Sequence, residues 1–572
     1  MTGVDVRTGG GETAAATPAT MAEILLARRG DQAPGLLHED QVWTWDEVVG
    51  EAAVRAAAAG ELRPADDTAE GPAHIGVLLD NVPEYLFWLG GAALAQTALV
   101  GINPTRRGEE LAADIAFTDI AVVVTDDAGA EILKECGTDV PVLSVESAEY
   151  AALLARHAGA EPPAGPFDPQ ALYLLLFTSG TSGGASKAVR FSQGKLARSA
   201  PHVAKLHGIG RDDVCYCPMP LFHGNALMVV WHPTMVSGAR MVLPRKFSAS
   251  KFLDDVRRHR ATFFSYVGKA ITYVLAQPET PHDGDNALVR AFGNEASAAD
   301  IREFRRRFGC ELVEGYGSSE GGVVLARTPE TPDGALGIPT IGDVAVVDPV
   351  TREECPRARF GPDGQFLNAA EAIGELVNRE GAPGFEGYYK NEEAMAERLR
   401  DGWFWSNDLA YVDEDGWFWY AGRAADWLRV DGENFPAVPV ERVLVRHPDV
   451  MLAAVFPVPD PRTGDEVMAA LELRDGTRLD PAALPEFFAA QTDMGTKWLP
   501  RYLRVVDVMP FTGSNKVLKK ELRAEAWARP GTDTVYWRPD PRSDTFRPMD
   551  EADRDALAAQ LRTHGRGHLM GW

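Results

Sequence analysis

The sequence contains little cysteine, and its few cysteines are scattered. There are five in 572 residues, which is an odd number. Cys215 and Cys217 are separated by one residue, which is not the Cys-x-x-Cys spacing of a zinc site. This usage excludes a disulfide framework and favours reduced thiols, so we expect a cytoplasmic protein.

Positive charge is also scarce. Lys and Arg number 57 against 83 Asp and Glu, which gives a formal net charge of −26. A protein whose main partner is nucleic acid needs an excess of cations to neutralise phosphates. The sequence therefore predicts no nucleic-acid partner, although a local basic site for a small anionic ligand stays compatible with this charge.

Long apolar runs are missing as well. The stretch nearest to a membrane span, residues 85–102, has 18 uncharged residues but contains Gln96, Thr97 and three glycines. A buried helix that runs into a buried strand explains it better, so we predict no transmembrane segment and leave peripheral membrane contact open. Residues 1–20 have no apolar signal core, and a disordered start is predicted over residues 1–21.

The composition that remains is that of a large globular protein. Hydrophobic residues make up 45% of the chain, and its length suffices for more than one domain. From residue 74 to residue 315, apolar strand patterns alternate with helical ones, which predicts a mostly parallel sheet with helices on both faces. Residues 337–419 contain short β segments broken by Gly, Pro and Asp, and residues 423–530 have the pattern of a compact α/β unit. The last 40 residues are charged and are expected to pack loosely.

The first candidate site lies in residues 172–189. An apolar run, residues 172–177, predicts a buried strand, and the loop of Thr, Ser and Gly that follows ends at Lys187. Glycine lets successive backbone N–H groups point at one anion, so such a loop is typical of a polyphosphate site. A flexible Gly/Ser linker is the alternative, but a linker seldom follows a buried strand directly. The Walker-type loop is excluded because Lys187 is followed by Ala188 rather than by Ser or Thr.

This loop resembles the signature loop of the adenylate-forming superfamily, which includes acyl-CoA synthetases, luciferases and the adenylation domains of peptide synthetases. The usual form is Thr-Ser-Gly-Thr-Thr-Gly-x-Pro-Lys-Gly. Here one residue is inserted around Gly184, Ser186 replaces the proline, and Ala188 replaces the final glycine. The matching residues are Thr178, Ser179, Gly180, Thr181, Ser182 and Gly183.

Five further stretches resemble superfamily motifs and occur in the expected order. The resemblance implies a large N-terminal domain, residues 22–422, made of mostly parallel sheets flanked by helices plus a β-rich subdomain. It also implies a small, mobile C-terminal α/β domain with a charged tail, residues 423–572. The five stretches are residues 220–224, 315–320, 405–408, 422–426 and 510–516.

The resemblance implies roles around the nucleotide. Tyr316 offers a flat face to adenine, Asp408 accepts hydrogen bonds from the ribose hydroxyls, and Arg423 holds ribose or phosphate from the other side. Judged alone, Tyr316 fits a half-buried tyrosine at a strand end, but the nearby Glu320 argues against that alternative. For Asp408, a turn residue before Leu409 is a fair local alternative. The other predicted ATP- or AMP-binding residues are Thr178, Ser179, Gly180, Thr181, Ser182, Gly183, Lys187, Gly293, Asn294, Gly317, Ser318 and Ser319.

Three residues are predicted to be catalytic: Lys516, Glu320 and Thr181. Glu320 is the candidate ligand of the Mg²⁺ that accompanies ATP, because Mg²⁺ prefers one or two carboxylates plus phosphates, and Thr181 adds a hydroxyl. A carboxylate substrate is already ionised at pH 7, so adenylation needs no general base. It needs a cation where the carboxylate meets the α-phosphate, and Lys516 fits that role.

The acyl pocket and the hinge are also predicted from the resemblance. His223, Gly224 and Tyr266 are placed in the acyl pocket. A satisfied core histidine is the local alternative for His223, and it is not assigned as a base. Ala425 marks the hinge, where a small residue absorbs backbone rotation.

The stretches 265–278, 425–434 and 532–538 resemble the very-long-chain acyl-CoA synthetase and fatty-acid transport protein branch. That branch implies a long-chain, very-long-chain or steroid-type acid, which reacts with ATP to acyl-AMP and pyrophosphate and then with CoA to the thioester and AMP. Two alternatives stay open: a ligase that loads a carrier protein, and a lipid-uptake or binding protein with weak catalysis. The sequence does not decide the chain length, and a homodimer is left open.

Overall fold

The fold is known from a computed structural model, and the statements below concern the residues that it describes. It describes the chain except for residues 1–17, 63–73, 179–186, 295, 363–365, 424–426, 431–432, 463, 492–493, 496, 513–515, 529 and 571–572.

Strands and helices follow one another along the whole described chain. The strands are β1 (Pro34–His38), β2 (Gln41–Thr44), β3 (His74–Leu78), β4 (Leu99–Gly101), β5 (Ile120–Thr125), β6 (Val142–Ser144), β7 (Leu172–Thr178), β8 (Lys187–Ser192), β9 (Val214–Tyr216), β10 (Arg240–Val242), β11 (Phe263–Val267), β12 (Arg290–Asn294), β13 (Glu311–Gly317), β14 (Val324–Ala326), β15 (Ile338–Pro339), β16 (Val344–Val347), β17 (Gly374–Asn378), β18 (Leu399–Arg400), β19 (Trp403–Val412), β20 (Phe418–Arg423), β21 (Trp427–Val430), β22 (Glu433–Pro436), β23 (Val450–Pro459), β24 (Asp465–Leu473), β25 (Tyr502–Val506), β26 (Thr534–Trp537) and β27 (Arg547–Pro548). The α-helices are α1 (Met21–Leu26), α2 (Trp45–Glu61), α3 (Pro83–Ala95), α4 (Gly108–Phe117), α5 (Asp127–Cys136), α6 (Ala148–Arg156), α7 (Gln193–Leu206), α8 (His232–Ser237), α9 (Ala249–His259), α10 (Gly268–Leu275), α11 (Ala298–Phe308), α12 (Ala369–Ala372), α13 (Glu392–Arg398), α14 (Ala437–Leu444), α15 (Leu484–Ala489), α16 (Lys519–Glu525) and α17 (Glu551–Thr563). A π-helix, Asn225–Trp231, precedes α8, and a 3₁₀ helix spans Gly567–Met570.

Two sheets account for the first part of the chain. The first has the order β6-β5-β3-β4-β7-β8 and is parallel except for the β7–β8 hairpin. Its β7 residues alternate between two cores: Leu174 and Leu176 pack in the core that contains residues of α1 to α3, and Leu175 packs with residues of α4 and α5. Since side chains alternate along a strand, helices cover both faces, as the sequence pattern predicts.

The second sheet has the order β15-β14-β13-β12-β11-β9-β10-β1-β2. The strands from β1 to β13 in this order are parallel, whereas β2, β14 and β15 are antiparallel at the edges. The carboxyl ends of β11, β12 and β13 therefore lie side by side, which is where parallel sheets hold their ligands.

The predicted β-rich segment forms an antiparallel sheet of its own. Strand β19 pairs with β17, β18 and β20, and β16 pairs with β17. Its core contains Leu376, Phe404 and Phe418. This confirms the β-rich subdomain and brings β19 toward the end of β13, because Val323 and Leu325 belong to the same core.

The C-terminal unit contains the β21–β22 hairpin and a sheet of order β23-β24-β25-β26-β27. The prediction that the last 40 residues pack loosely is wrong. Strand β26 pairs with β25, Trp537 stacks on Tyr502 with the two planes 2° apart, and Leu557 and Leu561 of α17 are buried in the same core. The many charged residues of this segment make its regularly spaced apolar residues, which complete the sheet, hard to see in the sequence. The division of the chain at residue 422 stays a prediction.

The prediction of a disordered start over residues 1–21 is wrong for residues 20 and 21. Thr20 and Met21 are fully buried, Thr20 caps α1 through its hydroxyl, and the backbone N–H of Ala22 donates to Gln193 Oε1 at 3.0 Å. A capping box, Thr20 with Glu23, fixes the start of this helix. Across the described ranges, no helix combines the length and the apolar character that crossing a membrane requires.

Candidate active site

The predicted adenine and ribose residues come together where β13 meets β19. The hydroxyl of Tyr316, on β13, donates a hydrogen bond to Asp408 Oδ2, on β19. Burial and the adjacent Asp408 carboxylate raise the pKa of Tyr316, so the hydroxyl keeps its proton. Asn294, at the end of the neighbouring β12, donates from Nδ2 to the Gly315 carbonyl at 2.6 Å. Two segments that are far apart in sequence thus build one polar corner.

Gly293 is required by its surroundings. A Cβ at this position would lie 2.4 Å from the Tyr266 carbonyl oxygen and 2.5 Å from the Tyr266 ring. Tyr266 itself is fully buried, and its hydroxyl lies 3.4 Å from Glu314 Oε1. Tyr266 therefore supports the predicted nucleotide loop from below, and its place in the acyl pocket stays a prediction.

The backbone of β19 has a left-handed residue directly before Asp408. Asn407 has φ +58°, a left-handed conformation that Gly adopts most readily and Asn tolerates. The Ser406 hydroxyl donates to the Leu376 carbonyl at 2.6 Å and accepts from the Asp408 N–H at 3.1 Å. Asp408 pairs with Arg423 across β19 and β20. The backbone thus places Arg423 opposite Asp408, while the Arg423 side chain lies outside what the structure describes.

Glu320 is buried and held by two residues that the sequence reasoning missed. Its side chain is 6% exposed, and the Tyr388 hydroxyl donates to its Oε1 at 2.7 Å. Arg398 Nη2 lies 3.7 Å from the same oxygen. Gly317, Ser318 and Ser319, which are predicted nucleotide contacts, lead from the end of β13 to this carboxylate.

Lys187 reaches the same place from the first sheet. It opens β8, pairs with Thr178 of β7, and its Nζ lies 2.6 Å from Glu397 Oε2. The Nζ atom also lies 5.7 Å from the centre of the Tyr388 ring, whose hydroxyl binds Glu320. The loop cation and the predicted metal carboxylate therefore converge on one tyrosine.

Several predicted residues cannot be placed. Lys187 closes the loop, but its preceding residues lie outside the described ranges, as does the hinge position Ala425. Gly422, just before the predicted hinge, has φ +125°, which only Gly adopts without strain. The loop residues concerned are Ser179, Gly180, Thr181, Ser182 and Gly183, and the side chain of Thr178 is not described either.

His223 is a neutral histidine whose side chain is partly buried. Its ring packs on Phe222 with the ring centres 4.3 Å apart, and its Nε2 atom has no hydrogen-bond partner within the described residues. Burial, and then the charge of Lys516, lower the pKa of His223 to about 4. At pH 7 it therefore carries no charge, and a pKa this low makes it a weak proton acceptor. Gly224, the next residue, directly precedes the π-helix, a rare element that often marks functional sites.

Lys516 belongs to the C-terminal unit and nevertheless lies close enough to His223 to shift its pKa. The Lys516 carbonyl accepts from the Thr512 N–H at 2.7 Å, and the Lys516 N–H donates to Thr512 Oγ1 at 3.1 Å. These two hydrogen bonds tie Lys516 to Thr512. The charge of Lys516 thus acts on His223, which is predicted to line the acyl pocket.

A second contact joins the two units beside a cleft. The Tyr273 hydroxyl, on α10, donates to Glu472 Oε1 of β24 at 3.0 Å, and the Met509 N–H donates to Glu472 Oε2 at 2.7 Å. Tyr273 also lines a cleft of about 390 Å³ that reaches Phe222, the neighbour of His223. Other residues of this cleft are Leu79, Pro220, Arg245 and Lys246.

The geometry fits a single divalent cation at Glu320. Both the Tyr388 hydrogen bond and the Arg398 ion pair are made to Oε1, and no described residue bonds to Oε2. No group of three or more His, Cys, Asp and Glu able to hold a metal ion occurs in the described residues. A lone carboxylate suits Mg²⁺ that takes its other ligands from phosphate and water. The arrangement can thus hold a polyphosphate between Lys187 and Glu320, with a cation at the far end.

Comparison with known proteins agrees with this geometry. The family model "AMP-binding enzyme" matches residues 25–389, and "AMP-binding enzyme C-terminal domain" matches residues 439–516. The chain is 52% identical over 557 residues to a Steroid-22-oyl-CoA synthetase of Rhodococcus jostii (strain RHA1), covering 96% of this chain and 99% of that protein. It is 45% identical over 513 residues to Medium/long-chain-fatty-acid--CoA ligase FadD17 of Mycobacterium tuberculosis, covering 90% and 97%.

The fold recurs in solved structures of lower identity. The crystal structure of the anthranilate CoA ligase AuaEII in complex with anthranoyl-AMP superposes with a TM-score of 0.76 at 20% identity, covering 89% of this chain and 98% of that one. A benzoate CoA ligase from Burkholderia xenovorans LB400 gives 0.75 at 20% identity, covering 88% and 99%. These two likenesses support the fold alone.

Proposed function

The chain belongs to the AMP-binding enzyme family and is an ATP-dependent, AMP-forming acid–CoA ligase, and we propose that its acid is a steroid whose side chain ends in a carboxylate. The observation that carries this proposal is the 52% identity, over almost the whole of both chains, to a Steroid-22-oyl-CoA synthetase. A medium- or long-chain fatty acid is the second candidate, because the relative named for such acids is 45% identical.

The surroundings of His223 support an apolar acid. Its ring is neutral, packs on Phe222, and precedes a π-helix whose Leu227, Val230 and Trp231 are buried. Apolar surroundings of this kind favour an acyl group through the exclusion of water rather than through charge. The charged groups, Lys516 and the phosphate-side residues, stand where the carboxylate and ATP meet.

In the first half-reaction, a carboxylate oxygen attacks the α-phosphorus of ATP, the bond to the β-phosphate oxygen breaks, and acyl-AMP and pyrophosphate result. Lys187 takes the β- and γ-phosphates, Asp408 accepts from the ribose hydroxyls, and Tyr316 supports Asp408. Lys516 lowers the repulsion between the incoming carboxylate and the phosphate. Bound Mg²⁺ would shield the phosphate charge. Glu320 would hold it through Oε2, together with Thr181.

In the second half-reaction, the CoA thiol attacks the acyl carbonyl, the thiol proton is lost, and AMP leaves with the bonding electrons. No phosphate repulsion has to be overcome in this step, so Lys516 is not needed for it. We propose that the C-terminal unit turns at Ala425 between the two steps, with residues 22–422 and 423–572 as the moving parts.

Other features of the function are proposals of the same kind. We propose CoA rather than a carrier protein as the acceptor of the acyl group. Within the family, we propose that the chain is most similar to the very-long-chain acyl-CoA synthetase and fatty-acid transport protein branch. A cytoplasmic location, peripheral membrane contact and a homodimer stay predictions from the sequence.

The test is a screen of acids against the purified protein with ATP and Mg²⁺, with and without CoA. Pyrophosphate and AMP release are measured for a steroid-22-oate and for saturated fatty acids of 8 to 18 carbons, the range of the second candidate. We expect kcat/KM for the steroid acid to be higher by about tenfold or more, the discrimination that a shaped apolar pocket supplies.

The outcomes of this screen separate the candidates. Faster turnover of a fatty acid would replace the steroid proposal by the second candidate. Acyl-AMP formation without a CoA thioester would point to a carrier protein, and no pyrophosphate release with any acid would point to a binding protein. Glu320→Gln serves as the inactive control.

A further inference from the structure

One partly buried cation contacts both Glu320 and the strand that carries Asp408 in the candidate ATP site. Arg398, the last residue of α13, has a side chain that is only 16% exposed. Its Nε donates to the Tyr388 hydroxyl at 3.2 Å, its Nη1 donates to the Trp405 carbonyl at 3.1 Å, and its Nη2 faces Glu320 at 3.7 Å. A single guanidinium therefore ties together the segment of Glu320, the segment of Tyr388 and strand β19.

The charge of Arg398 acts on both ends of the site. Burial by itself lowers the pKa of Arg398, but Tyr388, Glu320 and Asp408 raise it above its ordinary value. Glu320 faces the phosphate end of the proposed nucleotide, and Asp408 faces the ribose end. Two partly buried carboxylates repel each other and also repel an incoming polyphosphate unless a cation lies near them.

We propose that Arg398 is a positioning residue for ATP: it holds the Glu320 and Asp408 carboxylates at a fixed separation and neutralises them before the nucleotide arrives. The inference rests on the ATP site proposed above. The carbonyl bond to Trp405 is made three residues before Asp408, so the guanidinium fixes the strand that presents the ribose ligand. The Tyr388 bond holds Glu320 Oε1, and no described residue bonds to Oε2, which is therefore the oxygen left for the cation that accompanies ATP.

The competing explanation is purely structural. A basic residue in the last turn of a helix stabilises the helix dipole, and Arg398 is such a residue of α13. Arg400, two residues further on, provides a matched control. Its guanidinium lies 3.9 Å from the centre of the Trp405 ring and pairs with Glu375 Oε2 at 3.4 Å, so it belongs to the same neighbourhood.

The experiment measures ATP binding by calorimetry, once with EDTA and once with Mg²⁺. The proteins are the wild type, Arg398→Met, Glu320→Gln, the double variant and Arg400→Met. Without metal, Glu320 is an anion that faces the phosphates, and Arg398 is its counter-charge. Arg398→Met should therefore weaken ATP binding in EDTA by about tenfold, within the range of coupling between contacting charged side chains.

The decisive result is the double variant. Removal of the Glu320 charge should restore most of the affinity that Arg398→Met loses in EDTA, and Arg400→Met should stay within about twofold of the wild type. A structural role cannot give this rescue, because it does not depend on the charge of Glu320. Unchanged binding by Arg398→Met, or equal weakening in the single and double variants, would overturn the proposal.

Two further results keep the test decisive. If Arg398→Met does not fold, as judged by thermal denaturation, Arg398→Lys takes its place: it keeps the charge and loses the fork that reaches Trp405 and Tyr388 together. It should retain affinity in EDTA, and a loss equal to that of an uncharged variant would contradict the charge argument. A wrong ATP site shows itself separately, because Glu320→Gln alone would then leave Mg²⁺-dependent ATP binding unchanged.

Discussion

Removal of one hydroxyl from Tyr273 should slow the first half-reaction and spare the second. The hydroxyl donates to the buried Glu472 carboxylate, 3.0 Å away on the C-terminal unit. The same carboxylate accepts from the Met509 N–H, seven residues before Lys516. The bond thus joins α10 to the segment that carries the cation, and it must break if the C-terminal unit turns away. Tyr273→Phe removes it with little change in volume.

The size of the effect follows from the environment of the bond. Burial, and then the Glu472 charge, raise the pKa of Tyr273, so the hydroxyl stays protonated throughout the working pH range. A hydrogen bond to a charged group contributes about 1.5–3 kcal/mol, and partial exposure of Tyr273 reduces this to about 1–2 kcal/mol. The population of molecules with Lys516 at the site, relative to the population in all other arrangements, should therefore fall by about 5- to 30-fold.

The two half-reactions are assayed separately. Rapid quench with ATP and acid measures acyl-AMP formation, and supplied acyl-AMP with CoA measures thioester formation. The first rate should fall in Tyr273→Phe, and the second should stay the same or rise. Tyr389→Phe is the matched control, because its hydroxyl donates to Asp119 and makes no contact with Glu472. Equal losses in both halves, or no loss in either, would refute the reasoning.

Three further predictions concern single residues. Lys516→Ala should reduce acyl-AMP formation by ~10²–10³-fold and leave thioester formation from supplied acyl-AMP largely intact; equal damage to both halves would indicate a structural role. Lys187→Ala should raise the apparent KM for ATP more than that for the acid, measured at saturating co-substrate, since its Nζ stands on the phosphate side. Burial lowers the pKa of His232 to about 3 and, with Arg290, that of His207 to about 4. Below about pH 6.5 these histidines are protonated in the unfolded chain but stay neutral in the folded chain. The free energy of unfolding should therefore fall as pH drops from 6.5 to 4, by ~1.4 kcal/mol per pH unit for each histidine. His232→Gln should flatten that slope in urea titrations at each pH, and an unchanged slope would contradict the assignment.

Two helices of the fold could be predicted from the sequence with their bounds. Helical spacing predicts helices over residues 83–95 and 298–308, and the structure has Pro83–Ala95 and Ala298–Phe308, because proline or serine starts them and an apolar stripe continues to a left-handed residue. The π-helix Asn225–Trp231 could not be predicted, because residues 226–236 read as one apolar segment. A local sequence pattern does not distinguish a π-helical turn from an α-helical turn when packing against neighbouring elements determines which one forms.

In the candidate site, too, residues in local motifs were predicted, whereas residues placed by tertiary packing were not. Motif residues such as Tyr316, Asp408 and Glu320 were predicted, since each lies in a recognisable stretch of sequence. Glu397 and Arg398 were missed, because charged residues on a short helix are usually explained as solvent-facing. Only the packing of α13 against β19 places one of them on Lys187 and the other beside Glu320.

The tail that completes the last sheet has a consequence for the timing of catalysis. Lys516 lies on the connection between β25 and β26, and these two strands are hydrogen-bonded neighbours. This connection is anchored at both ends to one sheet, and Lys516 is hydrogen-bonded to Thr512 through its carbonyl and its N–H. If the C-terminal unit turns as proposed, we expect the lysine to move with the whole sheet, as a rigid body displaced through solvent on the microsecond-to-millisecond scale. Turnover limited by that motion should depend on solvent viscosity, whereas a loop rearrangement of a few residues would be nearly insensitive to it.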